Sequence, residues 1–307
     1  MRKLIIDCDP GHDDAVAILM AMAHPEALEL LAITTVCGNN YVHNSTRNAQ
    51  IICTAAGMGA PIAQGAARPL INEPMVTDQF HGKTGMDGHG LEPDPRYAVD
   101  PRCAVELLRD LLRDADDPVA IAALGPLTNL ALLLRTWPEL GEKIEVISLM
   151  GGGLAHGNVT EYAEFNILVD PEAAQIVYTS GVPVVMSGLD VTEQVSLLSR
   201  EFEFLRERGT AGRFFCELMD FYGRNAAFFG AEGCVMHDPC AVAWLLQPQL
   251  FSGRRGRVNV VLSGEERGRT VLEEDPHGPV LVLDRAEAAR AGELIVRSID
   301  LLCSPRE

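Results

Sequence analysis

Four aspartates lie within eight positions near the start of this 307-residue chain. Asp7, Asp9, Asp13 and Asp14 surround a Pro-Gly turn in the sequence DCDPGHDDA. One aspartate before a helix is often only a cap for the first backbone N–H groups. Four carboxylates in one place repel one another, and a hard cation such as Ca²⁺, which binds six to eight oxygen ligands, removes this repulsion. The cluster therefore predicts a metal site.

The elements around this cluster determine where it lies. The apolar residues 4–6 are typical of a buried parallel strand, the Pro-Gly pair ends that strand, and an apolar helix follows to about Ala23. A second strand over 29–36 ends at Gly38-Asn39. Parallel strands of an open α/β sheet bind ligands at their carboxyl ends, so Asn39 would lie beside the aspartates. Asn after Gly is also common turn chemistry, which leaves a purely local role open.

The rest of the chain alternates predicted strands and helices. Further strands are expected at 61–64, 119–123, 144–150 and 183–187, and the last of these is expected to close the main run. The pattern predicts an α/β fold with an open, mostly parallel twisted sheet flanked by helices. Residues near 190–250 form a helical segment, a β-pair joins 259–262 to 279–283, and a helix covers 285–302. With no repeat or linker in the sequence, we expect a single domain over 1–307.

Two segments without clear periodicity are further candidates for function. Residues 65–100 are rich in Gly, Pro, Asp and His, and their glycines favour an active-site flap over a plain surface loop. Three glycines at 151–153 lack the spacing of a phosphate loop, so they suggest close approach to an uncharged ligand. Aromatic residues between Phe214 and Phe229 mostly pack helices together, while one or two could border a base-binding pocket.

Composition limits the partners. Lys and Arg number 25 against 43 Asp and Glu, a formal net charge of −18, which argues against nucleic acid or an anionic membrane but not against an uncharged nucleoside. The eight cysteines show no Cys-x-x-Cys spacing, which suits a reducing cytoplasm. The sequence shows neither a signal peptide nor an apolar run of about 18 residues, so we expect a cytoplasmic protein.

The motifs together resemble the inosine-uridine nucleoside N-ribohydrolases, the nucleoside hydrolase family. The resemblance extends along nearly the whole chain and depends on eight motifs. These are DCDPGHDDA at 7–15, GN at 38–39, HG at 81–82, GPLTN at 125–129, MGGG at 150–153, AEFN at 163–166, DPEAA at 170–174 and HDP at 237–239. The family resemblance implies the Rossmann-like nucleoside hydrolase fold and a homotetramer or homodimer.

The resemblance also implies a Ca²⁺ ion at the base of the pocket. Its ligands would be Asp9, Asp14, the Leu124 carbonyl and Asp238. Asp9 would also act as general base toward a metal-activated water, and Asp7 would support the ligands from behind. At position 124 relatives can have Thr, but only the carbonyl of this residue matters.

Further positions match those that hold the nucleoside in the family. The residues that would bind ribose are Asp13, Asn39, Asn158, Glu164 and Asn166, with Met150 beside the sugar. His81 and His237 match histidines on the nucleobase side. The region 225–233 matches less clearly, which leaves the preference for purine or pyrimidine bases open.

The residue types suit this chemistry. Cleavage of an N-glycosidic bond passes through an oxocarbenium-like ribose, which carboxylate and amide oxygens stabilise. The departing base needs a proton, and His237 is a credible donor. We therefore expect calcium-dependent hydrolysis of ribonucleosides to ribose and free base.

Two other functions remain open from the residues alone. Asp7-x-Asp9 after a strand also suits an aspartate-dependent metal phosphohydrolase, although few basic residues lie near the motifs to hold a phosphate. A non-catalytic nucleoside-binding protein is the other alternative, and the presence of both Asp9 and His237 argues against it.

Overall fold

A computed structural model describes residues 1–228 and 232–304 of the chain. In chain order the strands are β1 (Arg2–Cys8), β2 (Leu28–Thr35), β3 (Ile62–Gln64), β4 (Val119–Ala123), β5 (Ile144–Met150), β6 (Val184–Ser187), β7 (Ser196–Leu197), β8 (Cys234–Val235), β9 (Phe251–Val260), β10 (Thr270–Glu274) and β11 (Val280–Ala286). The helices are α1 (His12–Ala23), α2 (Val42–Ala56), α3 (Asp78–His81), α4 (Ala104–Asp114), α5 (Thr128–Thr136), α6 (Phe165–Val169), α7 (Pro171–Tyr178), α8 (Leu189–Thr192), α9 (Ser199–Phe202), α10 (Gly209–Phe228), α11 (His237–Leu246) and α12 (Ala288–Cys303). Short 3₁₀ turns cover Pro138–Lys143, Glu203–Glu207 and Pro248–Leu250.

Nine strands form one sheet in the order β10-β9-β11-β6-β5-β4-β1-β2-β3. The strands from β11 to β3 in this order pair in parallel, whereas β9 pairs antiparallel with both β11 and β10. The chain leaves β1 toward β2 and β3 and then returns to β4 on the other side of β1. This reversal is a topological switch point, where open α/β sheets bind ligands.

Helices cover both faces of the sheet, and the alternation of side chains along β1 illustrates the two cores. Leu4 and Ile6 pack in the core that includes α1, α2, α10, α11 and α12, while Ile5 packs in the core with α4, α5 and α7. Every residue of α1 is buried. Because the last five residues of β1 and all of α1 are buried, the polar groups at their junction are held away from bulk water.

The predicted fold class is confirmed, and the helical segment near 190–250 contains α8 to α11. The expectation that the strand at 183–187 closes the main run is wrong, because β11 pairs in parallel with β6. The predicted pairing of 259–262 with 279–283 is wrong in its residues. β9 already begins at Phe251 and pairs with β11 through residues 251–256, so that Val280 lies opposite Gly256, whereas residues 258–260 pair with β10. Phe229 lies outside the described residues. In the described part of the chain, no helix is both long and apolar enough to cross a membrane.

Candidate active site

The aspartate cluster occupies the junction between β1 and α1, as the sequence predicts. Asp7, Asp9, Asp13 and Asp14 are all buried. Asp14 accepts hydrogen bonds from the backbone N–H groups of Gly11 (2.9 Å) and Asp9 (3.2 Å), so its carboxylate braces the turn. The N-terminus of α1 points toward these carboxylates and eases part of their repulsion.

The two carboxylate oxygens of Asp9 differ in their hydrogen bonding. The backbone N–H of Asn39 donates to Asp9 Oδ2 at 2.6 Å. Asp9 Oδ1 is buried and has no hydrogen-bond partner among the described residues. Burial, followed by the charge of Asp14, raises the pKa of Asp9 well above its usual range. A buried carboxylate oxygen without a partner is costly, and a cation would satisfy it.

A second group of carboxylates adjoins Asp9. Asp13, Asp14 and Asp238 each offer an oxygen, and these oxygens lie within 4.8 Å of one another. Burial raises the pKa of all three, to about 7 for Asp14, and their mutual repulsion adds to the effect for Asp14 and Asp238. The donors are all oxygens, which fits a hard cation. The group includes Asp13, which the resemblance assigns to ribose.

The Leu124 carbonyl lies at the end of β4, beside this group. It accepts a hydrogen bond from Asn166 Nδ2 at 2.8 Å, and a carbonyl oxygen keeps a second lone pair for another partner. The same amide nitrogen also donates to the Met150 carbonyl (3.2 Å). Asn166 therefore links the ends of β4 and β5.

Asp7 lies behind the cluster. Its Oδ1 accepts hydrogen bonds from Thr34 Oγ1 (2.5 Å) and Asn129 Nδ2 (2.8 Å). Burial raises the pKa of Asp7 to about 6, although these two hydrogen bonds act in the opposite direction. Asp7 thus connects β1 with β2 and α5 and does not line the cavity.

Glu164 is the N-cap of α6 and also reaches the cavity. Its carboxylate accepts from the backbone N–H groups of Gly152 (2.8 Å), Asn166 (2.9 Å) and Ile167 (3.1 Å). Burial raises the pKa of Glu164 to about 7. The adjacent Asn158 Oδ1 accepts from the backbone N–H of Phe165 (3.0 Å). Hydrogen bonds from the backbone of residues 152–167 to these two side chains therefore hold the conformation of this segment.

Two histidines line the cavity, and each has a different hydrogen-bond partner at Nδ1. His237 Nδ1 lies 2.8 Å from Thr192 Oγ1, and His81 Nδ1 lies 3.0 Å from His12 Nδ1. Burial lowers the pKa of both His81 and His237, while the nearby Asp13 carboxylate partly opposes this for His237. Both rings are therefore neutral around pH 7 when no metal or substrate is present.

The cavity above these residues measures about 420 Å³. Among the residues predicted from the sequence, those in its wall are Asp13, Asn39, His81, Leu124, Met150, Asn158, Glu164, Asn166, His237 and Asp238. Asp9 and Asp14 are buried next to its floor but are not part of the wall. Ten of the residues predicted from the sequence therefore lie in the wall of one cavity.

Seven further wall residues were not singled out from the sequence. They are Thr77, Phe80, Val159, Phe165, Glu193, Tyr222 and Val235. Thr77 and Phe80 belong to the irregular segment 65–100, and Tyr222 is one of the aromatics of which one or two were expected at a pocket. Glu193 and Val235 belong to no motif recognised in the sequence. They reach the cavity only because elements that are far apart in the chain pack together.

Comparisons with families and solved structures find similarity along nearly the whole chain. The family described as inosine-uridine preferring nucleoside hydrolase matches residues 4–300. The pyrimidine-specific ribonucleoside hydrolase RihA of Photobacterium profundum is 45% identical over 278 residues, which cover 89% of each chain. The purine-preferring ribonucleoside hydrolase from Gardnerella vaginalis superposes with a TM-score of 0.93 at 33% identity, covering 98% of this chain and 99% of that one. A plant nucleoside hydrolase gives 0.91 at 30% identity and covers 99% of both chains.

Proposed function

Since the chain belongs to the inosine-uridine preferring nucleoside hydrolase family and is a ribonucleoside hydrolase, we propose that it is calcium-dependent and prefers pyrimidine nucleosides. The observation that carries the metal proposal is the buried, unpartnered Oδ1 of Asp9 beside the carboxylates of Asp13, Asp14 and Asp238. Family membership leaves the phosphohydrolase and the non-catalytic binding protein without support.

The residues that would hold Ca²⁺ are Asp9, Asp14, Asp238 and the Leu124 carbonyl. The family is metal-dependent in general, and the all-oxygen donor set favours Ca²⁺ over zinc. Bound there, the ion would offset the carboxylate charges, make a water easier to deprotonate and hold ribose hydroxyls. Asp13 lies close enough to these ligands to contact both the ion and the sugar.

Asp9 is the proposed general base. The Asn39 N–H fixes its Oδ2, so the carboxylate keeps one orientation while Oδ1 remains available. With a cation bound, Asp9 would be ionised, because the cation offsets the neighbouring carboxylate charges, and an ionised carboxylate can accept a proton from water. The water that loses this proton would then attack the anomeric carbon of the ribose.

The ribose would bind between the floor and the 158–166 region. Asn39, Asn158, Glu164 and Asn166 line this part of the cavity and carry amide or carboxylate oxygens. Such oxygens stabilise the positive charge that develops on the sugar ring in the transition state. Because the hydrogen bonds of Glu164 and Asn158 are made to nearby backbone, these groups are oriented before substrate binds.

His237 is the proposed proton donor for the leaving base. Thr192 orients the ring through its contact with Nδ1, which leaves Nε2 for the substrate. To act as the acid the ring must be the imidazolium. Its Nδ1–H would then donate to the Thr192 hydroxyl oxygen, and Nε2–H would pass its proton to the departing base, which returns the ring to the neutral form. His81 and Tyr222 line the same part of the cavity, where they would contact the nucleobase.

The proposed pyrimidine preference rests on the relatives named pyrimidine-specific, which are 44–45% identical over nearly nine-tenths of the chain. A relative named purine-preferring has the same fold at 33% identity, so the fold does not determine the base.

A reducing-sugar assay of ribose release tests these proposals together. Uridine, cytidine, inosine and adenosine would be compared with added Ca²⁺, with a chelator, and with Ca²⁺ restored. We expect release that the chelator abolishes and Ca²⁺ restores, with kcat/KM about tenfold or more higher for the two pyrimidine nucleosides. Chelator-resistant release would contradict the calcium proposal, and faster inosine cleavage would contradict the base preference.

We further propose a cytoplasmic location and a homodimer or homotetramer. All eight cysteines are free thiols, which suits a reducing compartment. Light scattering after size-exclusion chromatography would measure the mass of the assembly against 33.3 kDa for one chain.

A further inference from the structure

His12 belongs to the aspartate motif, yet neither the metal site nor the ribose site uses its side chain. The ring is fully buried at the start of α1. Its Nε2 lies 2.8 Å from the Asp87 carbonyl oxygen, and its Nδ1 lies 3.0 Å from His81 Nδ1. His12 therefore connects the inside of the protein to a histidine of the cavity wall.

The partner at Nε2 determines where the proton of His12 lies. A carbonyl oxygen can only accept, so His12 Nε2 must carry a proton. The ring is buried, and no carboxylate oxygen of a described residue is hydrogen-bonded to it, so it is neutral and its Nδ1 is an acceptor. His81 Nδ1 must then donate. The backbone N–H of His12 also points at this nitrogen, with 3.4 Å between the two nitrogens. A protonated Nδ1 cannot accept it, so this long contact is given up for the ring-to-ring hydrogen bond of 3.0 Å.

This donation leaves the other nitrogen of His81 for the substrate. Its Nε2 makes no hydrogen bond to any residue that the structure describes, and the His81 ring lines the cavity. In a neutral ring whose proton is on Nδ1, Nε2 is an acceptor.

The surroundings keep both rings in place. His12 stacks on Phe221 (ring centroids 5.1 Å apart), on His81 (5.3 Å) and on Tyr222 (5.6 Å). The Asp87 backbone that contacts His12 belongs to a closed turn, since its N–H donates to the His81 carbonyl at 3.0 Å. The ring pair and the turn therefore support each other.

We propose that His12 is a positioning residue that fixes the Nδ1–H tautomer of His81, so that His81 Nε2 accepts a hydrogen bond from an N–H group of the nucleobase. This proposal rests on the proposed function for the identity of the ligand. The tautomer itself does not depend on catalysis, and it can be measured separately.

The first measurement is the ¹⁵N chemical shift pattern of the His81 ring in the protein with Ca²⁺, assigned by comparison with His81→Asn. We expect a protonated Nδ1 and an unprotonated Nε2. The opposite tautomer would overturn the proposal. Because this readout needs no turnover, it would stand even if the chain released no ribose from any nucleoside.

Two variants of similar size then separate the two contacts of His12. The Asn amide oxygen in His12→Asn can replace Nδ1 as acceptor toward His81, whereas the Gln amide in His12→Gln reaches only the Nε2 position near Asp87. Both variants lose the aromatic stack, so a difference in activity between them reports the loss of the acceptor toward His81 Nδ1.

The substrates are uridine and p-nitrophenyl β-D-ribofuranoside, whose leaving group has no N–H donor. We expect kcat/KM for uridine to be about tenfold lower in His12→Gln than in His12→Asn, and the two variants to differ less than about twofold on the p-nitrophenyl riboside. Thermal melting with and without Ca²⁺ checks that both variants fold and bind the ion. Equal losses of the two variants on uridine would overturn the proposal.

Discussion

The backbone N–H of Asn39 lies 2.6 Å from Asp9 Oδ2, while the other oxygen of the same carboxylate has no partner among the described residues. Glycines flank this carboxylate on both sides. A Cβ atom on Gly38 would lie 2.0 Å from Asp9 Oδ2, and one on Gly125 would lie 2.3 Å from Oδ1. Only glycine fits at these two positions, because the backbone approaches the Asp9 carboxylate too closely for a Cβ atom.

Gly38→Ala should displace Asp9, because the methyl group and the carboxylate oxygen cannot both occupy their positions. We expect a loss of ribose release of at least about 10²-fold, the lower end of what removal of a general base costs. The assay is kcat/KM on uridine with excess Ca²⁺. Gly90→Ala is the matched control, since a Cβ there has no heavy atom within 4 Å, and it should retain nearly full activity. Equal activity of the two variants would show that Asp9 tolerates displacement.

Asp9→Asn removes the proposed general base, and with it one anionic ligand of the proposed Ca²⁺ site, without changing the shape of the side chain. The Asn39 N–H can still donate to the amide oxygen, so the fold should persist, while kcat should fall by about 10²–10⁴-fold. Asp7→Asn is the comparison, because Asp7 contacts Thr34 and Asn129 and does not line the cavity. Its loss of kcat should be much smaller. A larger loss in Asp7→Asn would reverse the roles proposed for the two residues.

The sequence was sufficient for the floor of the site because its residues are close together in the chain. Asp7, Asp9, Asp13 and Asp14 lie on one strand, one turn and one helix, so local rules for strand ends and helix starts place them together. Asp238 is more than 220 positions away, and only the family resemblance associated it with them. Its burial beside Asp13 and Asp14 follows from the packing of α11 on α1.

The rest of the site and the sheet edge required non-local contacts. Glu193 follows α8, and Val235 lies in β8, so their approach to the cavity depends on how several short elements pack. Similarly, the sequence predicted a β-pair between the regions of β9 and β11 but not its residues, and it did not predict the parallel pairing of Val280 with Val184. Register between distant strands is set by tertiary packing, which local patterns do not encode.

His237 should be needed for natural nucleosides more than for activated ones. His237→Ala removes the proposed proton donor, so kcat on uridine should fall by about 10²–10⁴-fold. On p-nitrophenyl riboside, whose leaving group departs as a stable anion, the same variant should lose far less. The Ca²⁺-induced change in melting temperature should persist, which distinguishes loss of the donor from a disturbance of the adjacent proposed ligand Asp238. Equal losses on both substrates would remove the proton-donor role.

Thr192→Val tests the orientation of that donor. Valine keeps the volume of the side chain but removes the hydroxyl 2.8 Å from His237 Nδ1. We expect a partial loss of kcat on uridine, about tenfold, since the ring remains but its orientation is no longer fixed. Combining the variant with His237→Ala should cause no further loss, because both changes act through the same ring. Additive losses would assign Thr192 a separate role.

Calcium binding should depend on pH through the buried carboxyl groups. Burial raises the pKa of Asp7 to about 6 and the pKa values of Asp14 and Glu164 to about 7, whereas in the unfolded chain such groups titrate near 4. Without metal, the folded chain therefore holds protons that the unfolded chain has released. This contribution to stability is fully present below about pH 4 and is lost as the pH rises through 6 to 7.

A bound cation changes the sign of this effect, because it requires the ligands to be ionised. We expect the melting temperature of the chelated protein to fall between pH 5 and pH 8, and the increase caused by Ca²⁺ to be larger at pH 8 than at pH 5. Differential scanning calorimetry with Ca²⁺ at about 100 times its dissociation constant should detect roughly 2.7 kcal/mol of stabilisation at pH 8. Asp14→Asn removes a proposed ligand and should abolish the Ca²⁺ effect at both pH values. An equal Ca²⁺ effect at pH 5 and pH 8 would mean that the ion binds away from the carboxyl groups whose pKa values are raised.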